Sequence, residues 1–199
     1  MARPITITDE RILDAARAVF LKDGFNASTI EIARLAGVAE GTLFRRFATK
    51  EGLFQAALKP PAVPSWVREL DNLSGQGDMR DNLMRLVREI VRFAQERIPF
   101  AMLRWSHKPA SSDSVSADEG ASAVARDSRR LALFLQKEMD RGRLRPCRVD
   151  MVARLLMGPS LNLVLDSVVN KQPLTPEEIE RFTTDLVETL WQGIAPPAV

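Results

Sequence analysis

The chain has 199 residues, 45% of them hydrophobic and 27% charged, with a formal net charge of +2. That length supports one large or two smaller folded domains, and so small a net charge excludes a polycation that coats nucleic acid, so any DNA contact must be local. The single cysteine, Cys147, excludes an intrachain disulfide, and no uninterrupted apolar run of about 18 residues marks a membrane span.

Apolar residues recur at helical spacing nearly throughout, which predicts an all-α chain of about nine helices. The opening MARPITITDERILDAA lacks a basic-then-apolar leader. A first helix is predicted from Asp9 to Lys22, with Ile12, Leu13, Ala16, Val19 and Phe20 inward, Thr8 or Asp9 as its cap and Gly24 at its end. Ser28-Thr29-Ile30-Glu31 has the pattern of a capping box. The second helix then carries Ile32, Ala33, Leu35 and Ala36 inward and stops at Gly37, which tolerates a left-handed turn. A third helix follows from Ala39 to Phe47, and Thr49 caps a fourth with Leu53, Phe54, Ala57 and Leu58 inside.

Pro60, Pro61 and Pro64 interrupt the helical pattern. The expected organisation is therefore a head over residues 1–58, a connection over 59–78 and a helical body over 79–199. In the body, Met79 to Arg97 forms one helix and Pro99 starts a shorter one. Lys108 to Ser122, rich in Ser, Ala and Asp, is expected to be a loop. A helix from Ala121 to Arg141 ends at Gly142, and two more span Val149–Val169 and Glu177–Ile194. The last has its own capping box at Thr175-Pro176-Glu177-Glu178, with Leu174 and Ile179 as a hydrophobic staple.

Two short helices joined by a glycine turn, with basic residues late in the second, have the layout of a helix-turn-helix that enters the DNA major groove. At about 100° per residue, Thr42, Arg45 and Arg46 share one face of the third helix while Leu43 and Phe47 share another. Thr42 can donate, accept or offer a methyl group, and the arginines can reach guanine or phosphate. Gly41, unfavourable within a helix, suggests close approach of DNA or of the second helix. Lys50, at the start of the fourth helix, adds its charge to free amides and suits a phosphate. Ser28, Thr29, Glu40 and Phe44 complete the candidate DNA-facing set. Taken alone, the arginine pair could equally be a solvated face.

Phe20, Gly24, Phe25, Ile32-Ala33, Ala36-Gly37-Val38, Gly41-Thr42-Leu43-Phe44, Phe47 and Lys50 together resemble the N-terminal domain of the TetR family of bacterial transcriptional regulators. The resemblance covers about residues 9 to 58. It implies a helix-turn-helix head, a homodimer that binds pseudo-palindromic double-stranded DNA, and repression relieved by a small ligand. Three positions depart from the family pattern. Phe44 stands in place of tyrosine, Ala39 in place of a capping serine, and the loop after Gly24 is one residue short. More of the backbone affinity then falls to Arg45 and Arg46.

The Val149–Val169 segment is apolar almost all round and needs cover on both sides. With the stripe on the last helix it predicts half of an intermolecular four-helix bundle: Leu161, Val164, Leu165, Val168, Phe182, Leu186, Leu190 and Trp191. A thick single-chain core is the alternative. Pro159 is expected to kink the first of these helices. Phe93, Phe100, Met102, Leu103, Trp105, Phe134 and Met157 are candidates for an adaptable apolar effector site, although any one of them could be core filling. His107 is expected at the surface or as a cap. It and Cys147 supply no metal set, no cofactor motif is present, and nothing in the chain assembles an active site. The sequence therefore predicts a cytoplasmic DNA-binding regulator with an effector of unknown identity and no membrane partner. The alternative is a co-regulator or nucleoid-associated protein governed by a protein partner.

Overall fold

The computed structural model describes residues 8–59, 63–107 and 115–194. Among these residues the chain is all-α, as expected, with no strand. Its helices are α1 (Asp9–Asp23), α2 (Thr29–Ala36), α3 (Glu40–Phe47), α4 (Lys50–Leu58), α5 (Ser65–Leu73), α6 (Met79–Ser106), α7 (Val115–Asp140), α8 (Val149–Val169) and α9 (Pro176–Ile194). They divide into two compact units. One holds α1 to α4 and residues 99–107; the other holds residues 63–98 and α7 to α9. The 99–107 segment thus joins the N-terminal unit, where the sequence placed it in the body.

In the N-terminal unit, Ile12, Ala16 and Phe20 of α1 bury against Ile32 and Ala36 of α2, Leu43 of α3, and Phe54 and Ala57 of α4. Phe20 meets Phe54 edge-on, with centroids 5.0 Å apart. Helices of eight residues, such as α2 and α3, are too short to persist alone in water. Burial holds them, at about 1.5–3 kcal/mol for each large side chain. Leu35 was expected inside but is exposed, because a two-turn helix has room for only one narrow inward stripe. Arg17 ties the unit together: its Nε donates to the Ala57 carbonyl at 2.8 Å and its Nη1 to Asp14 at 2.6 Å. Thr8 takes the cap position of α1 without a side-chain hydrogen bond.

Pro99 does not start a helix; α6 runs through it. The ring removes one backbone hydrogen bond and crowds the carbonyl a turn earlier, at a cost of about 3 kcal/mol. Continuing the helix places Phe100 and Leu103 against the core of the N-terminal unit, which offsets that cost.

The second unit is built on Leu83, Leu86, Val87, Ile90 and Val91 of α6, packed with Leu131 and Leu135 of α7 and Val152, Ala153 and Leu156 of α8. α7 begins at Val115, six residues before its expected start. The alanines at 117, 121 and 123 outweigh the serines and aspartate that suggested a loop. Residues 108–114 of that expected loop lie outside the described residues. α8 is long and apolar enough by length and composition to cross a membrane. Val152, Leu156, Met157 and Val164 on its inner face lie in the core of this unit, while Met151, Leu155 and Val169 are exposed. Pro159 is accommodated within α8, and the Ser160 hydroxyl donates to the Leu156 carbonyl at 2.6 Å.

The predicted box at α9 is present. Glu178 N–H donates to Thr175 Oγ1 at 3.2 Å, and Thr175 N–H donates to Glu178 Oε2 at 2.9 Å. Arg88 of α6 forks onto Glu180 of α9 at 2.8 and 2.6 Å. A wholly buried carboxylate, Glu138, closes the loop between α5 and α6 onto the end of α7. Its Oε1 accepts from Gly75 N–H at 2.9 Å and from Arg141 Nη1 at 2.8 Å. Arg143 Nε lies 2.7 Å from its Oε2, close enough for an ion pair but not aligned as a hydrogen bond.

Candidate nucleic-acid interface

α2 ends at Gly37, whose φ of 72° is left-handed and whose N–H donates back into the last turn. That turn brings α3 across, and Leu43, 1% exposed, pins it to the core. Phe47 is half-buried and packs against the same core. The outward stripe of α3 is Gly41, Phe44 and Arg45, with Arg46 beside it and Thr42 half-buried at its edge. Thr42 is therefore less open than its helical angle suggested. A Cβ on Gly41 would meet nothing within 4 Å. Its small size is thus not required by α2, and of the two predicted approaches only one from outside remains.

The charged groups of α3 are not all alike. Arg46 forms an ion pair with Asp9 at the start of α1. Glu40 accepts a hydrogen bond from the Thr29 hydroxyl at 2.5 Å, joining the first turns of α2 and α3. Arg45 is exposed and makes no ion pair among the described residues. Ser28 Oγ caps α2, accepting from Glu31 N–H at 3.4 Å. Ala39 takes the cap position of α3 without a side-chain bond.

After α3 the chain turns sharply. Ala48 has a positive φ of 61°, and Thr49 N–H donates to the Phe47 carbonyl at 2.7 Å. Thr49 Oγ1 then accepts from Gly52 N–H at 2.9 Å, capping α4 as predicted. A Cβ on Gly52 would stand 2.3 Å from the Phe47 carbonyl oxygen, a close approach that the sequence reading missed. Lys50 opens α4 with its Nζ 5.0 Å from the centroid of the Phe25 ring, a cation–π arrangement.

His107 departs from the expected surface position. It is only 24% exposed by side chain, not a surface residue, and its Nε2 lies 2.8 Å from Glu51 Oε2 of α4. Its ring stacks on Phe25. Asp9, Arg17, Glu51 and His107 were not singled out from sequence for these roles, because each finds its partner across the fold.

The residues predicted to line an effector site divide between the units. Phe100, Met102, Leu103 and Trp105 are in the N-terminal unit, and Trp105 is 62% exposed. Phe93, Phe134 and Met157 are in the second unit, the last two within its core. Of the predicted dimer residues, Val164 is 0% exposed within its own unit and has no surface to offer a partner. Leu161, Leu165, Val168, Phe182, Leu186, Leu190 and Trp191 are each half-buried.

Comparison with known proteins supplies the context for this geometry. Residues 12–57 match the model of bacterial regulatory proteins of the tetR family. The HTH-type transcriptional regulator YvkB of Bacillus subtilis is 50% identical over 52 residues, which is 26% of this chain and 28% of YvkB. QacR of Staphylococcus aureus is 44% identical over 46 residues, 23% of this chain and 24% of QacR. The matches thus span about a quarter of the length of these curated relatives. Solved structures extend the likeness of fold across the chain. FadR of Bacillus subtilis, in complex with stearoyl-CoA, has a TM-score of 0.66 at 18% identity, covering 94% of this chain and 100% of FadR. NalD of Pseudomonas aeruginosa, the secondary repressor of the MexAB-OprM multidrug efflux pump, has a TM-score of 0.62 at 22% identity, covering 95% and 97%.

Proposed function

From a chain whose residues 12–57 are a TetR-family N-terminal domain, we propose a DNA-binding transcriptional repressor that a small apolar or aromatic ligand releases. The observation that carries this reading is the exposed stripe of α3. Phe44 and Arg45 point outward while Leu43 anchors the opposite side of the helix. A second copy, paired through α8 and α9, would set two such helices about 34 Å apart, matching successive major grooves of a pseudo-palindromic operator. The half-buried Leu161, Leu165, Phe182, Leu186 and Trp191 supply the apolar surface for that pairing. Arg45, Arg46 and Lys50 supply phosphate affinity in place of the family's tyrosine and capping serine. Phe93, Phe134 and Met157 are the effector-side candidates in the second unit. The chain performs no catalysis, and it works in the cytoplasm beside the DNA it reads.

The test is binding of the full chain to labelled DNA from upstream of its own gene, across a salt series. A sequence-selective complex whose affinity falls steeply with salt is expected. The absence of such a complex overturns the reading. Release of that complex by stearoyl-CoA or by a panel of aromatic compounds would support ligand control. No release and no thermal stabilisation by any of them would leave the body for a protein partner.

A further inference from the structure

The hydrogen bond between Thr29 and Glu40 is the one polar tie between the first turns of α2 and α3 among the described residues, and it is short, at 2.5 Å. It is a charge-assisted contact of hydroxyl to carboxylate. It occupies Oε1 of Glu40, and no hydrogen bond to Oε2 is made among the described residues. A carboxylate oxygen can accept more than one hydrogen bond, so Glu40 keeps acceptor capacity while its side chain is held still. This acceptor stands at the first position of α3, the end of a recognition helix that reaches base edges.

Resting on the DNA-binding reading above, we infer that Glu40 determines base specificity. Held by Thr29, it accepts from the exocyclic amine of a cytosine and so selects that base. An ionised carboxylate has no proton to donate. Guanine offers it only the N7 and O6 acceptors and thymine only O4, so both are rejected along with phosphate. Adenine sets an acceptor beside its amine, whereas cytosine presents the amine alone. A mobile glutamate would repel the duplex without discriminating; the tie to Thr29 makes the rejection positional. Thr29 is a positioning residue in this scheme, because it acts through Glu40.

Selection from randomised duplexes with the full chain tests this, using wild type, Glu40→Gln, Thr29→Val and Thr29→Ser. Wild type should enrich half-sites with cytosine at one position. Gln both donates and accepts and pairs with adenine, so Glu40→Gln should move that position from cytosine to adenine. Thr29→Val should keep cytosine but reduce the preference about tenfold or more, and Thr29→Ser should restore it. If Glu40→Gln and Thr29→Val change affinity for all duplexes equally and leave base frequencies unaltered, the pair is only a strut and the inference falls. If wild type enriches no duplex, the DNA-binding reading fails, and this inference with it. Should Glu40→Gln not fold, the Val and Ser variants at Thr29 decide the question on the same readout.

Discussion

The imidazole of His107 lies flat on the phenyl ring of Phe25, with centroids 3.5 Å apart and planes 13° from parallel. Phe54 meets the same imidazole at its edge, 5.2 Å away, and Glu51 takes its Nε2. His107 is the only histidine in the chain, so one pair of imidazole proton signals reports on this stack. Those signals should lie upfield of a free histidine's, and Phe25→Leu should return them towards it. His107→Ala should destabilise the head by about 0.5–1.5 kcal/mol. Signals at free-histidine positions in the wild-type spectrum would contradict the stack.

Ala48 carries a positive φ of 61° in the turn between α3 and α4. With a ψ of -51° and the Thr49-to-Phe47 hydrogen bond this is a γ-turn. So sparsely populated a conformation costs a residue with a Cβ about 1–3 kcal/mol, which glycine relieves at some cost in chain entropy. Ala48→Gly should therefore stabilise the protein by about 0.5–1 kcal/mol, seen as a rise of about 1–4 °C in Tm. An unchanged or lower Tm would mean that the turn is not strained.

Asp9 pairs with Arg46, one of the two arginines proposed to contact DNA. Asp9→Asn should free Arg46 and tighten operator binding. The slope of log K against log salt should steepen by about 0.9 for each added phosphate contact. Because Asp9 is 63% exposed by side chain, the lost pair should change stability by no more than about 1 kcal/mol. Arg45→Gln should act in the opposite sense, weakening binding and flattening the slope. Parallel salt dependence in all three proteins would remove both arginines from the interface.

Glu138 is wholly buried, and Ser74, Gly75, Arg141 and Arg143 converge on it. Glu138→Ala removes the acceptor shared by Ser74, Gly75 and Arg141 and the charge that faces Arg143. It should cost about 2–3 kcal/mol in urea unfolding, whereas a loss below about 0.5 kcal/mol would show the cluster to be solvated.

Burial pushes the Asp127 carboxyl above its ordinary range, outweighing the pull of Arg130 and Arg126. An acid whose folded-state value is raised holds its proton more tightly when folded. Its contribution to stability is full at acid pH and is lost as pH rises from the ordinary aspartate range through the raised one. Asp127→Asn should therefore be the more stable protein near pH 7, with the difference shrinking towards about pH 3. A constant difference across that range would trace the effect to packing instead.

Local signals carried most of the architecture. The Thr49 cap, the Gly37 turn and the Thr175–Glu178 box are each decided within a few residues of chain, and each appears where its spacing placed it. The inward face of α4 was legible for the same reason. What escaped the sequence depends on contacts between distant residues. Asp9 and Arg46 are 37 positions apart, and Glu51 and His107 are 56 apart. No periodicity encodes such pairs. Pro99 misled because its local cost was plain while the gain from Phe100 and Leu103 lay on another element. Thr29 and Glu40 were both picked out for DNA, yet their bond to each other became visible only once α2 and α3 had crossed.

The division of α6 at Pro99 bears on how such proteins can be recombined. A head excised as residues 1–58 would leave behind Phe100, Leu103 and His107, which complete its core from a place some forty residues downstream. Chimeras that graft this head onto another helical body should therefore carry the 99–107 segment as a second insert. A single splice after α4 should yield a loosened, protease-sensitive head.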